Sequence, residues 1–253
     1  MRFRGFEKHA LIAGILPLIF ASCNLAARTP RQAVDKGHEF YAQGKYADAS
    51  LQFRKAIQRD SKCAGAHLGL GLSEAKQSHW EQAYAALSQA ATLAPGDDQA
   101  KIQLANLCLM AYLGDRNRRA TLYDKAAQLT AELAGKNPDS FPVLRLRGYL
   151  AIADQKPKDA AAFFRRANEL KPDEADVATM LVRNLQLDRQ FDQAETLGLS
   201  FLERHKTYGP LYDAMYSLYM DSNRPIPAEN ILKRKVANNP KDALFVTQLC
   251  RHY

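Results

Sequence analysis

The residue types that could do chemistry are present in this chain, but their spacing does not assemble a reaction centre. The run Gly69-Leu70-Gly71-Leu72-Ser73 lacks the G-x-S-x-G order of a nucleophile elbow. It also lacks the final glycine of a dinucleotide loop and the lysine of a phosphate-binding loop. Six histidines, His9, His38, His67, His79, His205 and His252, are scattered, and His38-Glu39 is an isolated pair, so no metal site is predicted. Cys63, Cys108 and Cys250 have no C-x-x-C partner; Cys108 and Cys250 fall on apolar stripes and read as packing residues. No catalytic residue and no cofactor are expected. Two clusters remain. Arg116, Arg118 and Arg119 could grip a carboxylate or phosphate in a guanidinium fork, although a solvated charged loop is the simpler reading. Tyr208, Tyr212, Tyr216 and Tyr219 run at helical spacing, which reads as core packing before it reads as a stacking surface.

The elements that must carry these residues follow from composition and period. With 253 residues, 47% of them hydrophobic and 25% charged, the chain is a folded protein and not a disordered one. Its net charge of +8 is compatible with nucleic acid, anionic lipid or an acidic protein, without choosing among them. An internal repeat organises most of the length. Alanine recurs at Ala49, Ala83, Ala126, Ala160, Ala194 and Ala228, at spacings of 34, 43, 34, 34 and 34 residues. Small residues precede it at Gly37, Gly71 and Gly148, with Ala105 in the long unit. Aromatics accompany it at Tyr46, Trp80, Tyr123 and Phe191, with Phe53 and Phe164 one turn beyond. Proline closes the unit at Pro95, Pro138, Pro172 and Pro240, where a helix cannot continue.

This pattern resembles the tetratricopeptide repeat, a pair of antiparallel helices. The resemblance implies an all-α, right-handed α-solenoid of six units: 30–63, 64–97, 98–140, 141–174, 175–208 and 209–242. No β-sheet is predicted. In the second unit Leu70 is expected to pack against Ala83, Leu87 and Ala90. The nine extra residues of the third unit are expected near Tyr112–Ala120. Lys206 replaces the closing proline of the fifth unit, and in the sixth Tyr216 and Lys235 stand where small residues belong, which predicts looser or re-angled packing there. Residues 243–253 restart the phase, either as a half-repeat that caps the array or as the start of a seventh unit.

In the family, first helices line a concave face that binds peptides. Carried onto this phase, that face includes His38, Tyr41, Leu68, Leu72, Asn106, Arg145, Tyr149, Arg183 and Gln186. Apolar and aromatic surface beside Arg145 and Arg183 suits a peptide carrying an acidic residue. Val34 and His38 stand where chaperone-binding relatives use a lysine–asparagine pair, which argues against that specialised clamp.

The N-terminus supplies an address. Arg2, Arg4 and Lys8 precede an apolar run from Ala10 to Ala21, shorter than the roughly 20 residues needed to span a bilayer, so residues 1–22 read as a signal peptide. Phe20-Ala21-Ser22-Cys23 resembles the bacterial lipobox, with Phe20 in place of the usual leucine. The resemblance implies lipidation of Cys23, with 23–29 as a short tether; plain cleavage nearby, leaving Cys23 an incidental thiol, is the alternative. Asn24, unlike an aspartate there, points to the outer membrane, facing the periplasm or the exterior. Removing Arg2, Arg4, Lys8 and Glu7 still leaves a charge of +6 on the exported part, and export argues against nucleic acid. The function expected is a non-catalytic, membrane-anchored scaffold for a protein or peptide partner of an envelope assembly or export machine (pilus or secretin, outer-membrane assembly, polysaccharide export). The alternative is the N-terminal arm of a longer protein whose enzymatic or receptor domain lies beyond residue 253.

Overall fold

The computed structural model describes residues 29–115 and 117–253, and among them every regular element is an α-helix. Six hairpins pair α1 (Pro30–Ala42) with α2 (Tyr46–Arg59), α3 (Ala64–Lys76) with α4 (Trp80–Leu93), and α5 (Asp98–Gly114) with α6 (Ala120–Lys136). They continue with α7 (Phe141–Ala153) and α8 (Pro157–Leu170), α9 (Ala175–Leu187) and α10 (Phe191–Arg204), and α11 (Gly209–Asp221) and α12 (Pro225–Asn238). A thirteenth helix, α13 (Ala243–His252), follows.

The 34-residue period has a simple anatomy. A standard unit is a 13-residue first helix, a three-residue turn, a 14-residue second helix and a four-residue link. Helices start at fixed signals: Thr29 and Gln32 form a capping box, Asp97 and Asp242 cap with their side chains, and Pro30, Pro142, Pro157, Pro210 and Pro225 sit in first turns. The turn inside each standard hairpin ends the first helix with one left-handed residue: Gly44, Ser78, Gln155, Arg189 and Asn223, with φ between 55° and 74°. The next N–H then bonds back five residues, as from Lys45 to the Phe40 carbonyl (2.9 Å) and from Gln190 to that of Leu185 (2.8 Å). Only Gly44 adopts this φ without side-chain cost, so the other four turns hold their shape by context.

The third hairpin departs from the expected single loop insertion. Its nine extra residues are shared out: both helices are 17 residues long and the turn is five. A helix absorbs extra residues with every backbone group paired, whereas a long loop leaves them to water.

Consecutive first helices pack on one another (α1 on α3, α3 on α5, α5 on α7, α9 on α11), whereas no two second helices form a packed pair. The stack therefore curves with the first helices on its inner side. Core contacts follow the repeat. Ala49, Ala83, Ala126, Ala160, Ala194 and Ala228 are all fully buried. Gly37 and Gly69 both abut the ring of Phe53, where an added Cβ would come within 2.7 and 2.3 Å. Gly148 abuts Phe164 in the same way. In the fifth unit the sizes are exchanged: Val182 fills the first-helix place and the second helix supplies Gly198.

Three packing expectations change. Leu70 is only half-buried; it faces the preceding α2 across an open groove lined by Ile57, Gln58 and Ala85, while Gly69 and Ala66 make the buried contacts of α3. Cys108 is buried, its thiol pushed up to about 11 by burial, but Cys250 is exposed because no helix covers its side of α13. Tyr212 and Tyr219 are buried, whereas Tyr208 and Tyr216 are half-buried.

Candidate functional site

All nine groove residues read from the sequence lie on first helices, in different environments. At the N-terminal end His38 is exposed and set edge-on to Phe53 (5.2 Å), and Tyr41 is half-buried against Tyr46 (5.3 Å). Leu68 and Leu72 on α3, with Ile102 on α5, form a half-buried apolar stretch that carries no charge of its own. This end offers area and no anchor.

The middle is a polar clasp. Arg145 on α7 reaches the Asp176 carboxylate on α9 (2.9 Å) and the Asn106 side-chain oxygen on α5 (2.9 Å), while its Nε is buried without an acceptor. Arg145 thus ties three first helices together, including α7 to α9, which are not a packed pair. Tyr149 stacks edge-on to Phe164 (5.2 Å); burial first, and then the neighbouring Asp176 carboxylate, push its hydroxyl up to about 12. It is a neutral donor throughout the physiological range.

The C-terminal end is polar. The Gln186 amide is buried and donates to Ser217 (3.0 Å) and Asp221 (2.5 Å) on α11, which makes it a strut and not a free hydrogen-bonding group. Arg183 is exposed, one turn before Gln186 on α9, and has no ion pair among the described residues. The sequence treats Arg145 and Arg183 as twins. The structure separates them: Arg145 is paired within the fold, and Arg183 is exposed with no ion pair among the described residues. Asp176 was missing from the sequence reading, although its distance of 31 residues from Arg145 places it on the adjoining first helix of the same phase.

The basic loop stands apart from this groove. Cys23 and Arg116 lie outside the described residues. Arg119 is bonded to Asp115 (3.2 Å), and Arg118 lies over the Tyr112 ring (6.0 Å) at the tip of the long third hairpin. Tyr112 and Tyr123 pair at 5.5 Å, and the Tyr123 hydroxyl donates to Asp154 (2.7 Å) on the next turn, which braces that tip. Among the described residues no three histidine, cysteine or carboxylate side chains converge as metal ligands, and no helix is long and apolar enough to cross a membrane.

Residues 34–98 match a tetratricopeptide repeat family model. Curated protein sequences give no match. Among solved structures, a chain of the APC/C hetero-tetramer Cut9-Hcn1 superposes at TM-score 0.73 with 17% identity over 90% of this chain, which spans 43% of the length of that one. The type IV pilus biogenesis factor PilW superposes at 0.68 with 18% identity, covering 87% of this chain and 98% of PilW. The structure reported for Pseudomonas aeruginosa pilF gives 0.66 with 15% identity, covering 88% and 97%. Identities this low speak for the fold alone. The chain has the fold of an all-α helical-repeat solenoid, and its first two hairpins match the tetratricopeptide repeat in sequence as well.

Proposed function

We propose that the chain is a non-catalytic scaffold whose inner face holds a segment of a protein partner, and that lipidated Cys23 anchors it in the bacterial outer membrane. The observation that carries the reading is a half-buried apolar stretch (Leu68, Leu72, Ile102) on the same row of first helices as Arg183, an exposed guanidinium with no ion pair among the described residues. An apolar segment bearing a carboxylate complements both. The likeness to PilW favours an assembly role in the envelope, such as pilus or secretin assembly, over the other export machines.

Cross-linking with mass spectrometry in the native host identifies the partner. Arg183→Glu is expected to weaken its capture by about tenfold, the worth of one lost charge pair set against a new repulsion. Helical circular dichroism stays unchanged, because Arg183 supports nothing in the fold. Undiminished capture would move the site off this face. Arg145→Glu is a poor substitute, since it sets two carboxylates together at Asp176.

The anchor has its own test. Cys23→Ala is expected to shift the chain out of the membrane fraction and to abolish palmitate labelling, since acyl chains contribute about 0.8 kcal/mol per buried CH₂. A variant that stays in the membrane with labelling intact would refute lipidation at Cys23.

A further inference from the structure

The lower end of the first hairpin, where the chain enters the array, is basic. α2 buries Ala49, Phe53 and Ala56, and its opposite side exposes Leu51, Lys55, Gln58 and Arg59, with Lys62 exposed in the link that follows. Ala33 near the start of α1 packs with Ala56 near the end of α2, so this end of α2 lies beside the first residues of α1. Lys55 and Lys62 have no ion pair among the described residues. Asp60, the acidic residue between Arg59 and Lys62, accepts from the Lys62 backbone N–H (2.9 Å), and Asp48 is at the other end of α2, in its first turn.

Other units treat the same places differently. Where the first unit has Lys62, the third and fourth have Asp139 and Asp173, which bond Arg166 (2.6 Å) and Arg204 of the unit after. The unit after Lys62 offers no such match, since α4 carries a single charged residue, Glu81, in its first turn. The first unit therefore holds cations that its neighbour does not use.

We propose that Lys55, Arg59 and Lys62 form a membrane-facing patch that rests on the anionic phospholipid headgroups of the bilayer. The inference builds on the lipidation of Cys23 proposed above. The six residues Asn24–Thr29 reach at most about 20 Å, so a lipid on Cys23 keeps the start of α1, and with it the basic end of α2, beside the headgroups. Those six residues add Arg28 and no acid. The sixth hairpin is five helix-packing distances of about 9 Å further on. A phosphate at the bilayer surface complements these side chains without burying them. Each cation near an anionic leaflet multiplies the partition coefficient by about five, so three give about a hundredfold.

Vesicle co-sedimentation of the exported chain carrying Cys23→Ala tests the patch with no acyl chain present. Binding to vesicles holding about 30% phosphatidylglycerol should be about a hundredfold tighter than to phosphatidylcholine alone, and about 0.5 M salt should erase that margin. Lys55→Glu with Lys62→Glu should erase it too, with helical circular dichroism unchanged. Lys158→Glu with Lys241→Glu, the same change of net charge at exposed lysines of later hairpins, should keep it. Equal binding to the two vesicles, the result expected if the patch serves an acidic protein, overturns the proposal. So does a margin that survives Lys55→Glu with Lys62→Glu, or one that both double variants remove alike. Palmitate labelling that fails at Cys23 beside an intact margin would strike the anchor and leave the patch, and labelling without a margin would strike the patch alone.

Discussion

Replacing Phe53 by alanine should remove about 3–5 kcal/mol of stability, the largest loss available from a single side chain in the N-terminal hairpins. The ring is fully buried and fills the space left by two glycines, Gly37 on its own hairpin and Gly69 on the next. Neither neighbour has a side chain that could swing in, so the cavity cannot collapse. A solenoid repeat is stabilised by its immediate neighbours, so the loss is local before it is global. Urea denaturation followed by hydrogen exchange should show α1, α2 and α3 losing protection ahead of α7 to α12. A uniform loss across the array would mean that the repeats unfold as one unit. The reverse change, Gly69→Val, fails by overpacking on the same ring and costs about 1–3 kcal/mol.

Glu74 carries the second large effect. Its side chain is 3% exposed and accepts from Arg54 (2.9 Å) and His79 (2.8 Å), which links α2, α3 and the turn after α3. Burial alone would raise this carboxyl. The hydrogen bonds from Arg54, His79 and Ser50 outweigh burial and hold it below the ordinary glutamate range. A group whose folded pKa is depressed contributes stability that is present above its unfolded value and is lost as pH falls through the folded one. The chain should therefore weaken in mild acid, below about pH 4.5, by protonation at this site. Glu74→Ala should cost about 1–3 kcal/mol at neutral pH, through the lost charge-assisted hydrogen bonds and the space left behind, since Arg54 and His79 are half exposed and can turn to water. It should also flatten the acid limb of a stability–pH profile. An unchanged limb in the variant would show that other carboxylates set the acid sensitivity.

Much of the architecture could be read from one residue type. The alanine series marks the place where two backbones come closest, and that demand for a small side chain is the same in every hairpin, so it survives as a period. The groove positions were read from the same regularity, a place on the first helix repeated from unit to unit. What the phase does not carry is pairing. Whether Arg145 is free depends on Asp176, one unit away, and whether Gln186 can bind a ligand depends on Ser217 and Asp221. These partners differ from unit to unit and leave no periodic trace. Lys235 is the clearest case. By phase it is a misfit in an alanine place, yet it is buried and satisfied because Asp213, Gln248 and Phe245 all come from neighbours with no counterpart elsewhere in the array. The long third hairpin was visible as a count of residues, but a count does not reveal that helices had absorbed most of them.

The one-sided stacking of the helices makes the molecule a spring. With close backbone packing along the inner row and only side-chain links between second helices, such as Arg165 to Gln193 (3.2 Å) and Arg234 to Glu203 (2.9 Å), the outer row can spread or close more readily than the inner one. Between α7 and α9 the inner row is joined by the ion pair of Arg145 with Asp176, beside the apolar core that α8 shares with both helices. An ion pair tolerates small changes of distance better than interlocked apolar side chains do, and salt softens it. The curvature of the array, and with it the width of the groove, should therefore respond to ionic strength and to tension applied through its ends.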